Sequence, residues 1–75
     1  MRYFFELDGT ADDIGTVLES EDVVPREAFR LLLEIASEKT DRRSMKVVVR
    51  DMRHSPIYEA SLQLNGQWRA PAASN

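Results

Sequence analysis

The chain of 75 residues has no cysteine and a single histidine. That excludes disulfides, a thiolate nucleophile, a sulfur-based zinc site and any site needing two imidazoles. Long hydrophobic stretches are also missing. The apolar runs Leu31-Leu32-Leu33 and Val47-Val48-Val49 are three residues long, so no segment is expected to span a bilayer and no membrane partner is expected. The opening Met1-Arg2-Tyr3-Phe4-Phe5-Glu6 places an acid where a secretory signal would continue apolar, so a cytoplasmic location is expected. What remains is 43% hydrophobic and 31% charged, a composition that suits one folded domain.

Charge is divided along the chain. Residues 1–38 carry ten acids and three bases, giving −7, and residues 39–75 carry seven bases and three acids, giving +4. The total of −3 makes the whole chain a poor polyanion binder, because such binding depends on neutralising phosphates. The stretch 39–54 is locally basic, and Arg42, Arg43, Lys46, Arg50 and Arg53 form a candidate patch for a nucleic-acid-associated role. Stacking aromatics are not interleaved with these bases, and no recognition-helix motif accompanies them. Nucleic acid is therefore the lesser expectation. The simpler reading is cross-strand pairing, for instance with Glu6 or Glu59.

Periodicity divides the chain into five segments. Arg2–Leu7 alternates as a strand, with Tyr3, Phe5 and Leu7 on one face. Asp8-Gly9 signals a turn, and Thr16–Leu18 is a short strand returning on the first, with Leu18 buried. From about Asp22 to Glu38, Val24, Ala28, Leu31, Leu32 and Ile35 make one helical stripe. Pro25 leaves the start open. With Asp22 as N-cap it falls at N3, where no N–H is needed, and a start at Pro25 itself is also compatible. Met45–Met52 and Ile57–Leu64 read as a hairpin around Arg53-His54-Ser55-Pro56. Asn65-Gly66 signals a second turn, after which Gln67-Trp68-Arg69 either extends or folds back with Trp68 capping a face.

These faces assemble in one way. The helix stripe covers Tyr3, Phe5, Leu7, Val47, Val49, Tyr58, Ala60, Leu62 and Leu64, which gives a two-layer α+β domain. Its sheet is mainly antiparallel, three- to four-stranded, ββαββ in order 2-1-3-4. The domain is expected over residues 1–69, with 70–75 a flexible tail. Phe4, Val48 and Ile57 alternate onto the face opposite the helix and form a candidate self-association patch.

The opening Arg2-Tyr3-Phe4-Phe5, the stretch Asp12-Asp13-Ile14-Gly15-Thr16-Val17-Leu18 (an Asp-x-x-Gly-Thr-x-Leu pattern) and Glu27-Ala28-Phe29-Arg30 follow in order. A Val-Arg-Asp strand at Val47–Asp51 and the amphipathic Tyr58–Leu64 complete the set. Together they resemble a small family of bacterial domains of unknown function common in rhizobia and related alphaproteobacteria. Pro25 departs from that pattern, where a helix former is usual. The resemblance implies no reaction, ligand or catalytic residue. A lesser resemblance is to HicB-like antitoxin domains, whose long initial strand-turn-strand is not matched.

Candidate chemistry is sparse. Asp8, Asp12 and Asp13 crowd carboxylates, but without the spacing of a calcium loop they read as turn residues. His54 and Ser55 are adjacent, but no nucleophile elbow or glycine-rich loop accompanies them. The sequence therefore points away from an enzyme and implies no metal or cofactor. It favours a non-catalytic interaction module, as a homodimer or with another protein. The alternative is an antitoxin-like or nucleic-acid-associated accessory using residues 39–54.

Overall fold

The computed structural model of the chain describes residues 1–39, 41 and 43–70. Four strands and one long helix follow in the order β1 (Arg2–Leu7), β2 (Thr16–Val17), α1 (Val24–Glu38), β3 (Ser44–Arg50) and β4 (Pro56–Gln63). The sheet has the order β2-β1-β3-β4, with every neighbouring pair antiparallel. This is the expected α+β architecture and strand order.

One face of the sheet is dry. Tyr3, Met45, Val47, Val49 and Ala60 from the strands meet Val24, Ala28 and Leu32 from α1, with Leu18 closing one side. The alternation of the strands and the helical spacing of the stripe put these residues in one layer, and Phe5, Leu7, Leu31, Ile35, Tyr58 and Leu62 pack around it. No charged or polar residue is buried among the described residues.

The helix begins differently from either expected start. Glu21–Val23 forms a 3-10 turn, α1 opens at Val24 with Val23 as N-cap, and Pro25 takes the second helical position. Its missing N–H costs nothing there, since the first four helical amides have no intrahelical acceptor. Glu27 in the first turn pairs with Arg30 at 2.7 Å.

Two expectations about β4 and its sequel are corrected. Val49 pairs with Tyr58 but Arg50 pairs with Pro56, so Ile57 is an inserted, unpaired residue. This bulge resets the alternation. Ile57 therefore turns to the core beside Val24 and Pro25 and does not share the opposite face with Phe4 and Val48. The second correction is at Asn65-Gly66, which forms no turn, because residues 64–70 run without regular structure. Trp68 is 97% exposed and caps neither face. Residues 71–75 of the expected tail lie outside the described residues.

Candidate functional site

The segment between β1 and β2 is built around one carboxylate. In the β1 ladder the odd-numbered amides face β2, as the mutual bonds between Met1 and Leu18 show at 2.8 and 3.0 Å. β2 has only two residues, so the amides of Phe5 and Leu7 would be left over. Asp12 Oδ2 accepts the Phe5 N–H at 3.0 Å, and the Thr10 carbonyl accepts that of Leu7 at 3.2 Å. The other oxygen of Asp12 accepts the N–H groups of Ile14 (3.2 Å) and Gly15 (3.0 Å). Asp12 thus replaces a strand along the β1 edge and closes its own turn. Partial desolvation pushes its carboxyl up, but the bonds from Gly15, Phe5 and Ile14 together outweigh this and hold its pKa below the usual carboxylate value.

Gly15 completes the arrangement. Its φ is +80°, and a Cβ there would lie 2.8 Å from Arg2 Cγ and 2.9 Å from Phe4 Cε1. The Asp-x-x-Gly spacing therefore has a physical cause: the aspartate receives the glycine amide, and the glycine allows the turn to lie close over β1. Gly15→Ala should cost about 1–2 kcal/mol from the left-handed backbone alone. Chemical denaturation checks this, and a midpoint equal to the parent's would contradict it.

Between this loop and α1 runs a cleft of about 440 Å³ with Phe5, Leu7 and Leu31 in its floor and Glu27, Arg30 and Glu34 on its helix side. Of its charged groups, Glu27 pairs with Arg30, and Asp12 accepts three backbone amides. Asp8, the next acid of the loop, accepts the Lys46 N–H at 2.9 Å. Asp8 and Asp12 do the work of turn and edge residues. Among the described residues no three His, Asp or Glu side chains gather as metal ligands.

His54 lies at the tip of the β3–β4 hairpin with φ +64°. Asp51 Oδ1 accepts the N–H groups of Arg53 (2.9 Å) and Ser55 (3.0 Å) and shapes this turn. The imidazole faces Phe4, ring centroids 5.7 Å apart, and the His54 carbonyl accepts a bond from Arg50 Nη1.

The structure separates the residues of the candidate self-association patch. Phe4 is half-covered by His54 and by the loop at Gly15, Val48 is half-buried between Glu6 and Glu59, and Ile57 belongs to the core side. The candidate basic patch is also divided. Arg50 Nε donates to Glu6 Oε1 at 2.9 Å, which is the cross-strand pairing expected. Arg43, Lys46 and Arg53 are exposed, and Arg42 lies outside the described residues.

One helix on the dry face of a β2-β1-β3-β4 antiparallel sheet, with an Asp-x-x-Gly clamp on the β1 edge, defines a small two-layer α+β domain. Within that class the chain belongs to the family DUF6894, a domain of unknown function, which it matches over residues 2–63. No curated protein and no solved structure matches it. The matched span covers all four strands and the helix. No helix among the described residues is long and apolar enough to cross a membrane.

Proposed function

We propose that the chain is a non-catalytic protein-interaction module that works as a homodimer in the cytoplasm. The observation that carries this reading is the apolar flank beside β4. Phe29 is 48% exposed and Leu33 60% exposed, one helical turn apart on α1. The Phe29 ring meets Tyr58 of β4 edge-on, with centroids 6.4 Å apart. Neither helix residue serves the core. An aromatic and a leucine each about half in water forfeit part of the roughly 1.5–3 kcal/mol that full burial of each brings, which a second protein surface would recover. A domain of this size also gains more than a large one from association, because its own core is small.

Light scattering at rising concentration tests the reading. The expected mass is twice 8.6 kDa at micromolar concentration. A mass of 8.6 kDa throughout would remove it.

A further inference from the structure

The two edges of the sheet differ. On one side β2 has two residues, and the rest of the β1 edge is consumed by Asp12 and Thr10. Short edge strands and covering loops are ordinary means of preventing strand addition. On the other side β4 has eight residues and, among the described residues, no strand beyond it.

Which amides of β4 face outward follows from the ladders. The Leu64 N–H donates to the Arg43 carbonyl, and the Asp8 N–H donates to the Lys46 carbonyl. Odd residues of β3 therefore bond β4, even residues bond β1, and in β4 it is the even residues that bond inward. Glu59, Ser61 and Gln63 turn their N–H and C=O groups to the open edge.

The geometry points to a second copy of this chain pairing antiparallel along β4, with the two-fold axis at Ala60. This rests on the homodimer reading and specifies its interface. An antiparallel ladder joins outward residues only to outward residues, so the allowed registers move in steps of two. The strand Pro56–Gln63 overlaps itself most fully in two of them. One puts Glu59 opposite Glu59 of the copy, and like charges directly opposite are destabilising. The other puts Glu59 opposite Ser61, whose hydroxyl can donate to the carboxylate. It also sets Tyr58 against Leu62 and Ala60 against Ala60 on the helix face. Tyr58 of that row meets the Phe29 ring, so the apolar contact forms on the helix face of the paired strands. The result is one eight-stranded sheet with both helices on one face.

The chain has no cysteine, so the register can be read by oxidation. Hydrogen-bonded partners have Cα atoms about 5.5 Å apart, within disulfide range, whereas diagonal neighbours at about 7–8 Å are beyond it. An equimolar mixture of Glu59→Cys and Ser61→Cys chains, one of them tagged for size, is expected to form the mixed disulfide. Ser61→Cys alone, which keeps Glu59, should not link appreciably. Ser61→Pro should fold, because the Ser61 N–H points away from β3, and should run at 8.6 kDa.

Ser61→Cys linking to itself as the main product, or Glu59→Cys linking to itself with no mixed disulfide, would overturn the register. A parent of dimeric mass with no link from any variant would overturn the β4 interface and leave the homodimer reading intact. A parent of 8.6 kDa at every concentration would overturn both and leave the edge to a strand from another protein.

Discussion

Leu32→Ala should largely unfold the domain. Leu32 sits at the centre of the helix stripe, 1% exposed, among Val24, Ala28 and the buried side chains of β1 and β3. Truncating a leucine so placed loses the transfer free energy of the removed carbons and leaves a cavity, together about 2–5 kcal/mol. A single core in a chain of this length supplies only about 3–5 kcal/mol. One substitution therefore removes most of the stability. At about 4–8 °C per kcal/mol for a domain of this size, the expected fall in Tm is at least about 8 °C. Thermal melts followed by circular dichroism, at one fixed protein concentration because association adds stability by mass action, check it. A Tm within a few degrees of the parent would mean that the core closes around the gap or that α1 contributes less than its burial indicates. Leu33→Ala is the matched control on the same helix. It is exposed in the single chain, so it should leave the fold intact and act only on association.

How far the sequence disclosed this molecule depends on the range of the interaction concerned. β1 was readable to the residue, because an alternating aromatic strand bounded by Asp8-Gly9 has few other readings. The helix stripe was readable for the same reason, and with it the pairing of faces that fixes the order 2-1-3-4. The bulge at Ile57 was not. One inserted residue leaves the hydrophobic pattern of Ile57–Leu64 unaltered and appears only in the register with β3. The half-burial of Phe4 depends on His54, fifty residues away, and on a glycine loop lying across it, which no local pattern contains. The unpaired edge of β4 follows from the strand order and was within reach. The set of registers open to a second copy needed the ladder parity, which only individual hydrogen bonds supply.

Asp12 presents the sharpest contrast between a bland sequence signal and a demanding structural role. An aspartate three residues before a glycine is an ordinary turn, and as a turn it would tolerate replacement. Here its carboxylate accepts three backbone amides, one of them from β1 across seven residues of chain. Asp12→Ala removes all three acceptors and leaves the half-buried Phe5 amide without its partner. Hydrogen bonds to a charged group contribute about 1.5–3 kcal/mol each, but Ile14 is exposed and its amide can turn to water. The Gly15 amide is half-exposed and is partly rehydrated as well, so the loss centres on the Phe5 amide and the expected net cost is about 2–3 kcal/mol, second only to Leu32→Ala. The same carboxylate carries a pH signature. Its folded pKa is depressed, so in acid the unfolded chain binds the proton first and stability rises with pH. The contribution of Asp12 is fully present above the unfolded aspartate value of about 3.9 and is lost as pH falls through the lower folded value. Urea titrations from pH 7 down to pH 2 should show the parent losing stability more steeply in acid than Asp12→Asn, which keeps the shape of the side chain but has no charge to titrate. Parallel acid limbs for the two proteins would show that the amides of Phe5, Ile14 and Gly15 do not hold this carboxylate in solution, and the β1 edge would then be open where the structure closes it.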